Sequence, residues 1–198
     1  MGTHKEMGQR GQCCQFKAHL VVRRFMQHPG LNYDETFSPI VHFETIQALL
    51  AMVASKRLKV WQLDVKGAYL NGILTQPIYM QQPTRFEDES RLVCLLIKSI
   101  YRLKQAGRVW NIKFDHMIQC LGFRALVLDP CTYVLCEGDH FVIVTIWVDN
   151  LLLFAMAEEL IERTKAGPKA EWELTDLGEP VKIIGIEITL GNHSVTIS

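Results

Sequence analysis

Apolar residues at Ile46, Leu49, Leu50 and Val53 recur at helical intervals between Glu44 and Arg57, which predicts an amphipathic helix there. The following KVWQLDVKGAYLNG changes period. Val60 to Val65 reads as a strand with Trp61, Leu63 and Val65 on one face and Gln62 and Asp64 on the other, running into a turn closed by Asn71-Gly72. Residues 83–91 form a polar connection, after which Val93, Leu95 and Ile97 alternate as a strand. From Gln105 onward, Trp110, Phe114, Met117, Ile118 and Leu121 return to helical spacing, and Gly122 is a natural stop. Thr132 to Cys136 and Phe141 to Val148 predict paired strands joined through Glu137-Gly138-Asp139. Asp149-Asn150 then separates two apolar runs as the turn of a tight hairpin. Glu158 to Lys165 begins a helix that Gly167-Pro168 should interrupt, and a last hairpin, VKIIGIEITL–GNH–SVTI, follows. Irregular alternation of helices and strands with several hairpins predicts an α+β fold on an antiparallel sheet, not a doubly wound parallel one.

Composition changes this picture little. The chain has 198 residues, 48% of them apolar and 21% charged, enough to bury a sizeable core. The formal net charge is zero, yet residues 1–128 carry 17 basic and 9 acidic side chains while residues 129–198 carry 4 and 12. That balance argues against a purely electrostatic nucleic-acid binder but leaves a basic half able to face phosphates. Six cysteines without a CxxC pair predict reduced thiols in an intracellular protein, neither a zinc site nor a disulfide framework. Residues 1–16 lack the apolar core of a signal peptide and are expected to be a mobile leader. Phe141 to Ala157 is the one apolar stretch of membrane length, but Asp149 sits at its centre, where a charge costs roughly 3 kcal/mol. A buried hairpin explains it better than a membrane span.

Asp64 and Asp149 stand out because each ends or tips an apolar segment, where carboxylates are costly. Brought together on neighbouring strands they would repel unless a cation lay between them. Magnesium suits such a pair, since it takes one or two carboxylates and completes its shell with water and phosphate oxygens. A second cluster, Lys98, Arg102, Lys104, Arg108 and Lys113, has no acid within its span and is interleaved by Tyr101 and Trp110, as in surfaces that track single strands.

The stretch LDVKGAYLNGILTQPIYMQQP closely resembles the LDVKTAFLNG…IYMEQP signature of copia-type retrotransposon reverse transcriptases. The resemblance extends in order through NYDETFSPIVHFETIQALLAMVAS, KSIYRLKQAGRVW, DPCTYV, IWVDNLLLF and DLGEPVKIIGIEI, covering about residues 17–190. It implies a right-hand polymerase fold of fingers and palm across residues 17–198, the palm an antiparallel sheet backed by helices and the thumb lacking or incomplete. Asp64 and Asp149 match the two metal-binding aspartates of the palm, for Mg2+ or Mn2+ in a two-metal site. Tyr69 matches the aromatic that backs the incoming nucleotide's sugar. Gln105 falls where the family lines the nucleotide and template pocket, and Lys17 and Arg23 lie in the fingers segment that touches the triphosphate. Lys98, Arg102, Lys104 and Arg108 would contact nucleic acid, and Ile184-Gly185-Ile186 resembles the hairpin that holds the primer end.

The departures are as informative. Where the family's catalytic hairpin ends in two aspartates, this chain has Asn150 second, and Trp147 replaces the hairpin's tyrosine. Arg102 stands where a glycine is usual, Gly107 where a proline is usual, and Ala166-Gly167-Pro168 cuts into a helix that is ordinarily uninterrupted. These changes predict a degenerate or truncated copy, weakly active or inactive. Its partners if active would be a primer–template and deoxynucleotide triphosphates, with no membrane, in the cytoplasm or the family's virus-like particles. The alternatives are an inactive nucleic-acid-binding relic and a small RNA-binding module, the latter needing exposed stacking aromatics that the strands do not supply.

Overall fold

A computed structural model describes residues 2–7, 13–191 and 194–197. It is a mixed α/β structure of antiparallel sheets with three α-helices among the described residues, divided into two compact units. One comprises residues 1–38 and 69–113; the other comprises residues 39–68 and 114–198. Each unit is built from segments distant in sequence.

In the first unit, β1 (Gly2–Met7) pairs antiparallel with β2 (Cys13–His19). Residues 2–7 and 13–16 of the expected leader thus lie in a ladder, and residues 1 and 8–12 are outside the described residues. A two-stranded ladder satisfies its backbone groups mutually, with no need of the apolar run whose absence made the segment read as unstructured. The second unit then opens with α1 (Phe43–Lys56) and β3 (Lys59–Val65). The chain returns to the first unit in β4 (Ile73–Met80), β5 (Cys94–Lys98) and the start of α2 (Ala106–Cys120).

The core of that first unit gathers Ile78, Ile100, Leu103 and Ala106, with Val22, Tyr69, Leu74, Met80 and Leu96 packed against them. The β5 strand forms as its alternation predicts, but Val93, Leu95 and Ile97 point outward and are more than half exposed. Leu96, on the opposite face, is the side chain that joins the core.

The rest of the second unit follows: β6 (Arg124–Ala125), β7 (Thr132–Glu137), β8 (His140–Trp147), β9 (Asn150–Ala155), α3 (Glu158–Glu171), β10 (Leu174–Gly178), β11 (Lys182–Ile183), β12 (Ile186–Leu190) and β13 (Val195–Ile197). Six strands form one antiparallel sheet in the order β10-β3-β9-β8-β7-β6, and β11-β12-β13 form a smaller one. The β8 and β9 strands are central and buried over nearly their whole length. Strands covered on both faces read as continuous apolar runs, which is why Phe141–Ala157 had the length of a membrane span. No described helix is long and apolar enough to cross a membrane. The helix α1 buries Ile46, Leu49, Leu50 and Val53, as the spacing predicts; each such side chain contributes about 1.5–3 kcal/mol on leaving water.

Two local expectations are corrected. Pro168 does not interrupt α3, which continues to Glu171. Proline removes one hydrogen bond, but Pro168 is buried on the inward face with Ile161, Thr164 and Lys165, and Trp172 N–H closes the next turn on Pro168 O at 2.9 Å. The tight turn between β8 and β9 is Val148-Asp149, one residue earlier than expected, because Asn150 is drawn into the strand by pairing with both Trp147 and Asp64. The expected last hairpin forms as β12–β13, with Asn192 and His193 of its connection outside the described residues.

Candidate active site

The site is built on β3 and the β8–β9 hairpin. The β3 strand runs beside β9 with Leu63 opposite Leu151 and Asp64 opposite Asn150. Val65 N–H donates to Asp149 O at 2.7 Å, so the end of β3 is tied to the hairpin tip. Asp64 and Asp149 therefore stand on adjoining backbone. Val148 has φ 55°, a left-handed conformation that a β-branched residue adopts at a cost. The hairpin holds it because ladders on both sides fix the strands that enter and leave the turn.

Asn150 is the chemical centre of the arrangement. Its Nδ2 donates to Asp149 Oδ1 at 3.0 Å, and its Oδ1 accepts from Gln62 Nε2 at 2.8 Å. An aspartate at 150 could still accept from Gln62. It could not donate to Asp149; two carboxylates would face each other there, and a cation would be needed to relieve them. Gln62, two residues before Asp64 on the same face, is a participant that the sequence did not single out; its position on the Asp64 face was the available signal.

Beside these residues lies a cavity of about 270 Å3. Gln62, Thr145, Trp147 and Asn150 line it from the large sheet, and Lys182, Ile183, Ile184 and Gly185 from the small one. Ile184 and Gly185 form the turn between β11 and β12, both at positive φ (50° and 86°). The segment likened to a primer-holding hairpin thus shares a cavity with Asn150.

Among the described residues no group of three or more His, Cys, Asp or Glu side chains gathers to hold a metal ion. Asp64 and Asp149 carry carboxylates, the donor type that a hard cation takes. Burial, helped by the Asp129 carboxylate, pushes the Cys131 thiol up to about 12.

The other expected residues belong to the first unit. Tyr69 packs on the apolar core there and meets Tyr101 edge to face at 5.7 Å. Gln105 is buried with both ends of its amide engaged, Oε1 accepting from Gln27 Nε2 at 3.0 Å and Nε2 donating to Asn32 O at 2.9 Å. Lys104 donates to Tyr33 Oη at 2.8 Å and lies over the Tyr33 ring. Arg108 pairs with Glu35 at 2.9 Å. The acid-free stretch 98–113 is therefore met by an acid from the 27–38 loop, which sequence spacing does not show. Arg23, Lys98 and Arg102 are exposed, Arg102 with φ 69° where the family has glycine. Lys17 lies on β2, and its side chain is outside the described residues.

Comparison with known proteins identifies the whole. The model of the family described as reverse transcriptase (RNA-dependent DNA polymerase) matches residues 2–198. The chain is 39% identical over 183 residues to the retrovirus-related Pol polyprotein from transposon TNT 1-94 of Nicotiana tabacum, covering 90% of the chain and 14% of that protein. It is 34% identical over 185 residues to the Pol polyprotein from transposon RE1 of Arabidopsis thaliana, covering 92% of the chain and 13% of that protein. It is 30% identical over 139 residues to the putative transposon Ty5-1 protein of Saccharomyces cerevisiae, covering 69% of the chain and 45% of that protein. No solved structure matches significantly. The chain spans about a seventh of the first two relatives, and across its own length it belongs to the reverse transcriptase family as a domain of the copia-type retrotransposon Pol polyproteins.

Proposed function

We propose that this is a degenerate reverse transcriptase domain that keeps the polymerase scaffold and a nucleic-acid-facing surface but has little or no polymerase activity. The observation that carries the proposal is the hydrogen bond from Asn150 Nδ2 to Asp149 Oδ1. A neutral amide there satisfies the carboxylate that would otherwise call for a cation, and removes one formal negative charge from the place where divalent ions must be held against mutual repulsion.

On this reading the unit of residues 39–68 and 114–198 is the palm, and that of residues 1–38 and 69–113 the fingers. Asp64 and Asp149 would hold Mg2+ or Mn2+, which in such sites activates an attacking hydroxyl and neutralises the leaving pyrophosphate. Tyr69 would back the sugar of an incoming nucleotide, Gln105 would brace its pocket through Gln27 and Asn32, and Lys17 and Arg23 would meet its triphosphate. Lys98 and Arg102, being exposed, are the stronger nucleic-acid contacts, while Lys104 and Arg108 would have to exchange Tyr33 and Glu35 for phosphate. The remaining polyprotein domains would be partners, and the setting that of the family's intracellular virus-like particles.

The test is primer extension on a homopolymer RNA template with magnesium and with manganese, comparing wild type, Asn150→Asp and Asp64→Ala. Extension that is negligible in wild type and raised by Asn150→Asp supports the proposal. Losing one aligned charge contact costs on the order of a thousandfold in rate. Robust wild-type extension abolished by Asp64→Ala would overturn it and make Asn150 a tolerated residue. Primer–template binding should be weak and salt-sensitive, its log–log slope steepening by about one for each phosphate neutralised.

A further inference from the structure

Lys165 is a lysine with only 1% of its side chain exposed, an environment this residue type almost never occupies without partners. Its ammonium pairs with Glu162 in α3 and with Asp176 Oδ2 of β10 at 3.0 Å, and lies 3.8 Å from the ring centroid of Trp61 in β3. Trp61 Nε1 in turn donates to Asp176 Oδ1. One buried charge thus joins a helix and two neighbouring strands.

What this junction does follows from the strand it holds. The β10 strand is the edge of the large sheet, and none of its five residues is buried. Register is strongly specified where a strand buries one face and weakly specified where it does not. A β10 slip of one residue would cost little in apolar burial, yet it would change the partner of every residue in the ladder. The observed register sets Thr175 opposite Asp64 and Asp176 opposite Leu63, with a bulge before Gly178, which has φ 74°. The nearby exposed pair of Lys66 with Glu173 is too solvated to hold that register alone. Buried ionic groups stabilise poorly in comparison with apolar packing, and their best-attested use is to select one register over others.

We propose that Lys165, Asp176 and Trp61 form a register lock for the strand that carries Asp64, making Lys165 and Asp176 positioning residues of the candidate metal site. The link to metal rests on the function proposed above; the lock itself rests on the β3–β10 ladder alone. The test compares the full chain with Lys165→Met, Asp176→Asn and, as a control, Ile161→Val, which loosens α3 at a fully buried position outside the network. Amide hydrogen exchange is followed at residues 62–65 and 174–176 against α1, and Mn2+ affinity is measured by electron paramagnetic resonance, with Asp64→Asn beside wild type. The lock predicts exchange about tenfold faster in β3 and β10 with α1 unchanged in both network variants. It also predicts about tenfold weaker Mn2+ binding, the loss typical of removing a group that orients a ligand, with neither effect in Ile161→Val. If Lys165→Met fails to fold, Asp176→Asn, on the more exposed side of the pair, decides. Unchanged exchange at β10, or the same acceleration in the control, overturns the lock. Mn2+ binding that is absent in wild type, or indifferent to Asp64→Asn, overturns the metal site instead and leaves the exchange measurement to decide the lock.

Discussion

Asn150 lies directly opposite Asp64 in the β3–β9 ladder while its side-chain amide donates to Asp149 at 3.0 Å. The residue that replaces the family's second hairpin acid is thus backbone partner to one expected metal ligand and hydrogen-bond donor to the other. One oxygen of the Asp149 carboxylate is thus already hydrogen-bonded within the hairpin.

Stability should therefore respond to metal to different degrees in wild type and in Asn150→Asp. Without divalent ions, Asn150→Asp should be less stable than wild type by about 1.5–3 kcal/mol, the worth of a hydrogen bond to a charged group. Manganese should restore most of that loss and raise the melting temperature of Asn150→Asp well beyond its effect on wild type. Thermal unfolding with and without Mn2+ checks this; equal metal responses in the two proteins would contradict it.

The two unusual residues of α3 should both gain from alanine, by different amounts. Pro168→Ala restores a helix hydrogen bond and should stabilise by about 2 kcal/mol, the penalty of proline inside a helix less some ring packing. Gly167→Ala places a Cβ 2.2 Å from Leu121 Cδ1, the far end of an exposed side chain that can turn away, so it should stabilise by at most about 1 kcal/mol, the gain in helix propensity. Urea unfolding midpoints of the two variants measure both.

Arg102 combines a strained backbone with an exposed charge. Arg102→Gly should stabilise by about 1 kcal/mol, since φ 69° suits glycine better than any residue with a Cβ. The same change should weaken primer–template binding and flatten its salt slope by about one. A stability gain without the flattened slope would remove Arg102 from the nucleic-acid surface.

Asp176 gives a pH dependence. Burial alone would raise its carboxyl, but donation from Trp61, Lys165 and the Gly178 amide outweighs this and holds it below the usual carboxylate range. A carboxyl depressed in the folded state adds stability that is present above its unfolded value near pH 4 and is lost as pH falls through the folded value. Unfolding midpoints should therefore fall as the pH drops below about 4 in wild type and fall less steeply in Asp176→Asn. Parallel curves would show that the network does not hold the charge.

Much of the scaffold was legible because local pattern and tertiary burial agree. The α1 stripe of Ile46, Leu49, Leu50 and Val53 faces the core as its spacing requires, and the paired strands after Thr132 follow from their turn residues. The β5 strand shows the limit of that agreement. Its apolar alternation is real, yet Val93, Leu95 and Ile97 face outward, since which face is inward depends on what the chain brings against it.

By itself, the sequence determined the period and order of the elements, the motif series that marks the family, and the substitution of an amide for an acid at position 150. Those are properties of neighbouring residues, written at short range. Only the tertiary structure decided that Asn150 donates to Asp149 and accepts from Gln62, that Glu35 meets Arg108, and that a buried lysine joins α3 to β10 and β3. Each of these pairs a strand, helix or loop with a partner set by chain closure, and Gln62 and Asn150, for instance, meet only because β3 and β9 lie side by side. Hydrogen bonds and ion pairs act over a few ångströms of space, and a sequence records separation along the chain instead.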